Sequence, residues 1–234
     1  MKLRHTLLFC ISLCCASVSL WAQSQTAVAT DSVVKINKYG LRVGADLSKP
    51  LRTLLESGYS GFEIVGDFRL SKKFYLAAEL GNEKKDRFES NLNSTASGSY
   101  LKVGGDFNAY NNWLGLHNAI FAGLRYGFST FNQELLAYNI YVTNQSFPPG
   151  TRVEPQKFDG LTAHWAELIV GVKTEVLNNL YLSINLQLKR MLAEDQPNNF
   201  DNLFVPGFNN TNDFSDYGVG YGYTISYLIP IFKK

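Results

Sequence analysis

The sequence predicts an all-β protein, an eight-stranded antiparallel up-and-down transmembrane β-barrel. Three observations carry that prediction. The last stretch, Tyr217 to Phe232, alternates for sixteen residues: Val219, Tyr221, Tyr223, Ile225, Tyr227, Ile229 and Ile231 share one face, and Gly218, Gly220, Gly222, Thr224 and Ser226 the other. About 9–11 tilted residues suffice to cross a bilayer, whereas globular strands usually stop near 5–6. Short and long connections alternate along the chain, which is how a membrane barrel sorts tight turns to one side and loops to the other. Finally, the polar faces of the strands are charged with both signs, a filling suited to a narrow polar lumen and not to an apolar core.

Taken in order, strand one sets Tyr39, Leu41, Val43, Ala45 and Leu47 against Gly40, Arg42, Gly44 and Asp46. Strand two, near 59–70, sets Phe62, Ile64 and Phe68 against Glu63, Asp67 and Arg69. Strand three, near 74–83, sets Phe74, Leu76, Ala78 and Leu80 against Tyr75, Ala77 and Glu79. Strand four, near 98–110, sets Leu101, Val103, Phe107 and Ala109 against Lys102, Gly104, Asp106 and Asn108. Strand five, near 119–132, sets Ile120, Ala122, Leu124, Tyr126 and Phe128 against Gly123, Arg125, Gly127 and Ser129. Strand six, near 163–176, sets Ala166, Leu168, Val170 and Val172 against Glu167, Gly171, Lys173 and Glu175. Strand seven, near 180–192, sets Leu180, Leu182, Ile184, Leu186 and Leu188 against Ser183, Asn185, Gln187 and Lys189. The closing strand makes eight.

Ser71-Lys72-Lys73 and Leu177-Asn178-Asn179 are hairpin-length connections, and 111–118 is moderate. The connections near 48–58, 84–97, 133–162 and 193–216 are expected as long loops on the outer surface, with both termini periplasmic. The polar faces carry Arg42, Arg69, Lys102, Arg125, Lys173 and Lys189 with Asp46, Glu63, Asp67, Glu79, Asp106, Glu167 and Glu175. Each such charge would cost ~2–4 kcal/mol in lipid near the midplane, so they are expected inward, paired and plugging the lumen. Tyr39, Phe74, Tyr100, Tyr110, Trp113, Trp165, Tyr217 and Phe232 lie near strand ends, as interfacial girdles do. Trp165 shares parity with Glu167 and should point into the mouth unless a bulge intervenes.

The first 22 residues have the order of a secretory signal: Lys2, Arg4 and His5, then an apolar run through Leu20, then Trp21-Ala22 before Gln23. Cleavage is expected between Ala22 and Gln23, leaving a lead-in over 23–36 and the barrel over 37–234. Cys10, Cys14 and Cys15 all lie in the signal, so no disulfide or thiol chemistry is expected in the mature chain. Lys2 and Arg4 leave too, which takes the formal net charge from +2 to zero and points to no nucleic-acid partner. The signal's apolar run is shorter than the ~18–20 residues of a spanning helix, and no later segment reaches ~18 consecutive apolar residues.

His164 with Glu167 and a loop serine is the one candidate set for a lipid-modifying enzyme, but strict alternation puts His164 and Glu167 on opposite faces. His117 falls in a turn. Asp195, Asp201, Asp213 and Asp216 with neighbouring asparagines offer oxygen ligands, at no recognised calcium spacing. Apolar residues in the third and fourth long loops (Tyr138, Ile140, Tyr141, Val142, Phe147; Phe200, Leu203, Phe204, Val205, Phe208, Phe214) predict a packed cap or a docking surface. A narrow conduit and a secreted soluble barrel with an apolar ligand are the remaining alternatives.

The segments Tyr39–Pro50, Gly61-Phe-Glu-Ile-Val65, Gly98-Ser-Tyr-Leu-Lys-Val103 and Gly123-Leu-Arg-Tyr-Gly-Phe-Ser129, with the Trp-Ala-Gln signal end and the last strand, resemble Bacteroidota outer-membrane β-barrel proteins of a domain-of-unknown-function family. In plan the chain is also similar to small porin-like barrels. The resemblance implies the cell outer membrane, surrounding lipid and the barrel-assembly machinery as partners, with Phe232 as the terminal aromatic of the assembly signal. It implies no activity and no cofactor. Asp31-Ser32-Val33 looks like the O-glycosylation acceptor of the same bacteria, so Ser32 is a candidate modification site. The expected protein is a non-enzymatic monomer with a filled lumen, acting in envelope structure or through an extracellular partner of its loops.

Overall fold

The computed structural model of the chain describes residues 38–110, 118–140, 150–212 and 214–233. The signal with its Ala22–Gln23 junction, the lead-in with Ser32, and Trp113, His117, Tyr141, Val142, Phe147 and Asp213 lie outside the described residues. Eight long strands run β1 (Lys38–Asp46), β2 (Tyr59–Arg69), β3 (Phe74–Phe88), β4 (Leu92–Asn108), β5 (Ala119–Asn139), β6 (Gln156–Leu177), β7 (Leu180–Glu194) and β8 (Tyr217–Lys233). Each pairs antiparallel with its sequence neighbours, and β8 pairs with β1, so the sheet closes into an up-and-down barrel. One helix, α1 (Ser48–Leu55), follows β1.

The period-two pattern is the reason the barrel has this inside and outside. Outward side chains on β5, for example, run Ile120, Leu124, Tyr126 and Phe128 before giving way to Thr130, Asn132 and Glu134. On β3 the change falls between Leu80 and Asn82, and on β4 between Leu101 and Ser99. Leu124 keeps 66% of its surface exposed and Leu186 63%, while their inward neighbours Arg125 and Gln187 are buried. Around nine residues per strand belong to this belt; at ~3.3 Å rise and ~40° tilt it stands ~23 Å tall, close to the apolar band of a membrane barrel.

Tight turns (70–73 and 178–179), the end of β4 at Asn108, the start of β5 at Ala119, the start of β1 and the end of β8 lie at one end. The other end is a mouth, and its walls are uneven. β1 has 9 residues, whereas β5 has 21 and β6 has 22. The stretch 84–97, expected as a long loop, is a hairpin instead, with β3 and β4 paired to Phe88↔Asn93. Most of the described residues of 133–162 are likewise strand, because β5 and β6 stay paired to Leu135↔Gln156 across a register shift between Phe131 and Gln133. Thr151–Arg152 adds two more pairs to the end of β5. The 48–58 connection holds α1, and 193–216 holds a two-residue ladder, Phe204–Val205 against Asn209–Asn210.

Two girdle assignments are corrected. Tyr39 is only 8% exposed: a register shift between Tyr39 and Gly40 reverses its parity, and its ring lies under the Arg69 guanidinium at 5.0 Å. Tyr100 shares parity with Lys102 and is buried inside the mouth. Phe74 and Tyr217 do face outward.

Candidate functional site

The lumen of the barrel is the site candidate, since the charged residues expected inward do converge there. Nearer the tight turns, Asp67 is shared by two cations: Arg42 Nε donates to Oδ1 at 2.6 Å and Lys173 Nζ to Oδ2 at 2.6 Å. Arg42 also sits over the rings of Tyr75 and Tyr181, at 4.8 and 5.0 Å. Midway, Arg125 reaches Asp106 at 2.7 Å and Glu79 at 3.2 Å. Glu79 accepts in turn from Lys102 at 2.8 Å. Lys102 further faces Glu63 at 3.2 Å and Glu167 at 3.9 Å, and Lys189 faces Glu167 at 3.9 Å.

Two residues outside the expected set join this network. Glu83 continues the inward parity of Glu79 and is fully buried, accepting from Lys49 at 2.5 Å and from the Tyr59 hydroxyl at 2.6 Å. Lys49 sits on α1, where no strand parity applies. With them, six buried cations (Arg42, Lys49, Lys102, Arg125, Lys173, Lys189) meet six buried carboxylates (Glu63, Asp67, Glu79, Glu83, Asp106, Glu167). Three predicted members hold the backbone at turns and strand ends. Asp46 is buried but accepts backbone N–H groups from Ser48 and Tyr223 at 2.8 and 3.1 Å, holding the start of α1 against β8. Arg69 donates to the carbonyls of Ser71 and Lys72 and so ties the β2–β3 turn. Glu175 accepts from the Asn179 N–H at 2.8 Å in the β6–β7 turn.

Asp106 Oδ1 lies within ion-pair distance of Arg125 but off the hydrogen-bond direction, and Ser226 Oγ has no side-chain or backbone hydrogen-bond partner among the described residues. Both line a cavity of ≈ 40 Å³ among the charges. At ~10–15 Å³ per water centre it has room for about three waters, which explains how these atoms are tolerated inside.

Above the charges the lumen becomes apolar. Tyr100, Phe131, Leu161, Ala163, Trp165, Val205 and Phe208 form one buried cluster, and Tyr59, Ala96 and Phe204 a second. Trp165 is fully buried and points into the mouth as its parity requires; the irregularity beside it affects only the β6–β7 ladder. Its indole N–H donates to Glu167 at 3.2 Å. Opposite Trp165 in register stands Gly127, where a Cβ would come within 2.1 Å of the indole, so glycine supplies the space the ring fills. Phe204 to Phe208 therefore form a plug, the packed cap expected of the fourth loop's apolar residues, whereas Phe214 of that loop and Ile140 of the third are exposed and take no part in it. The plug is locked to the charges by its backbone: Gly207 N–H donates to Glu83 at 2.7 Å and its carbonyl accepts from Lys189 at 2.6 Å. Gly207 has φ +84°, which favours glycine.

His164 and Glu167 are on opposite faces. His164 lies outside, bonded to the Tyr126 hydroxyl at 2.7 Å and 4.9 Å from the Phe128 ring centre. Asp195 is spent on Thr162, accepting from its N–H and hydroxyl. Among the described residues no group of His, Cys, Asp and Glu has the arrangement of a metal site. On the rim, Glu56 takes hydrogen bonds from Arg52 and from Lys85, which hold its carboxyl down at about 2.

A solved structure of Neisserial surface protein A is similar over 83% of this chain and 96% of that one, at 8% identity and a TM-score of 0.39. The barrel assignment stands on the closed strand pairing itself. No curated protein sequence matches the chain. The family described as a domain of unknown function, DUF6048, matches residues 6–234, nearly the whole sequence, and the chain belongs to it.

Proposed function

We propose that this protein is a non-enzymatic outer-membrane barrel, sealed along its axis, whose work is done at its outer mouth in envelope structure or contact with a surface partner. The observation that supports this reading most is the double closure of the lumen: six cations on six carboxylates, with an apolar plug hydrogen-bonded onto them. Barrels of eight strands have interiors just wide enough for side chains, and here side chains occupy the axis. The apolar belt is the surface that lipid would cover, and the mouth, with the tallest walls, is the end that would stand clear of the membrane. On this reading the last strand serves the assembly machinery and the barrel is a monomer.

Planar-bilayer recording tests it. The purified protein is expected to give no steady open channels at 100 mV, and discrete long-lived conductance would sink the sealed-barrel reading. His164→Ala is expected to leave surface-lipid mass spectra unchanged. His164 lies outside the lumen, bonded to Tyr126, so a changed lipid profile would reinstate the enzyme.

A further inference from the structure

The barrel wall has a breach. Among the described residues, the β1 side of β8 stops pairing at Asp46↔Thr224, while its other side stays paired to β7 as far as Tyr217↔Arg190. The last backbone hydrogen bond on the β1 side is from the Leu47 N–H to the Tyr223 carbonyl at 2.6 Å. β2 also leaves β1 early, at Ala45↔Ile64. Above that level the chain turns out of the wall into α1, which replaces the strand that is missing.

Between α1 and β8 lies a groove of ≈ 330 Å³. Its outer wall is the top of the belt: Leu186, Val219 and Tyr221 line it and all three face outward, Val219 with 76% of its surface exposed. Its upper wall is polar and includes Lys49, Arg52 and Asn209. The ion pairs that anchor α1 hold three cations, Lys49, Arg52 and Lys85, against two carboxylates, Glu83 and Glu56. Arg52 lies over the Tyr59 ring at 4.0 Å and spends three of its five donors, two on Glu56 and one on Asn209 at 3.1 Å, which leaves two for a ligand. On its other side α1 exposes Leu54 and Leu55, at 82% and 79%, so the helix has the amphipathic form of one lying at a lipid surface. An apolar floor continuous with the belt, under a polar wall that carries the Lys49 and Arg52 cations and no carboxylate, is complementary to an acidic amphiphile.

We propose that this breach is a lateral cleft that seats one anionic lipid of the surrounding leaflet, its phosphate against Arg52 with Lys49 behind, and one acyl chain over Leu186, Val219 and Tyr221. The inference rests on the reading that the belt lies in a membrane. A closed barrel with walls of equal height would offer lipid only its smooth outer face.

The test is native mass spectrometry of the full-length mature protein released from detergent micelles with equimolar phosphatidylglycerol and phosphatidylcholine of identical chains. One phosphatidylglycerol is expected to stay bound at least fivefold over phosphatidylcholine. Arg52→Gln and Val219→Asp should each cut that adduct about tenfold, the first by removing charge from the roof, the second by placing a carboxylate in the floor. Equal retention of the two lipids, adducts unmoved by both variants, or a dimer mass in place of the lipid would overturn the cleft. Gel mobility with and without boiling separates the two levels. A heat-dependent shift with no lipid preference removes the cleft alone, whereas absence of the shift in the parent protein removes the membrane reading and the cleft with it.

Discussion

Lys102→Met is expected to destabilise the barrel by about 3–5 kcal/mol, the scale for removing one partner of a buried charge cluster. Lys102 is 1% exposed and faces Glu79, Glu63 and Glu167. Methionine fills nearly the same volume, so what is lost is charge and not packing. Glu79 keeps Arg125, but Glu63 is left with the Tyr100 hydroxyl at 2.6 Å and Glu167 with the indole of Trp165 and a Lys189 at 3.9 Å. Adding Glu63→Gln should return roughly half of the loss, because the amide oxygen still accepts from Tyr100 and one uncompensated carboxylate is gone. Urea unfolding in lipid vesicles, followed by the fraction of heat-shifting protein on a gel, reads both numbers. A single variant within about 1 kcal/mol of the parent would mean that water, and not Lys102, neutralises these carboxylates.

What could be read in the sequence followed the strand ladder. Lys102, Glu167 and Lys189 were legible because each interrupts an otherwise apolar alternation at period two, and only one face of such a strand can meet lipid. Tyr39 was misread for the same reason: parity is lost at a bulge, and nothing in Lys38-Tyr39-Gly40 announces one. The 84–97 hairpin reads as a loop because it rises above the belt. There Lys84 and Asp86 face outward and Ser94 faces inward, so both faces are polar and the alternation vanishes although the backbone pairing continues. Lys49 was invisible because a helix, with its own period, carries it to the mouth. The plug was half visible. Phe204 and Phe208 signalled burial by composition, but which cavity they enter depends on Gly127 and Gly207 leaving room for Trp165 and Tyr100.

Gly207→Val should release the plug. At φ +84° any β-branched residue is strained, and a Cβ at this position falls 2.6 Å from the Tyr100 ring and 2.9 Å from the Trp165 indole. The two rings cannot yield easily, since Tyr100 is tied to Glu63 and Trp165 to Glu167. The segment must yield instead. Its departure breaks the Gly207 bonds to Glu83 and Lys189 and pulls Phe208 away from Trp165, which it meets edge-on at 6.1 Å. Stripping Phe208 from its cluster alone is worth about 3–5 kcal/mol if the site cannot collapse. Because the strands above and below keep their pairing, the loss is expected to appear as local opening and not as unfolding of the barrel. Limited proteolysis of the folded protein should then cut within 203–211 at least tenfold faster in Gly207→Val than in the parent, with the heat-dependent gel shift intact. Unchanged protection would show that the segment is held by something other than this packing, and loss of the gel shift would make the plug part of the barrel's own core.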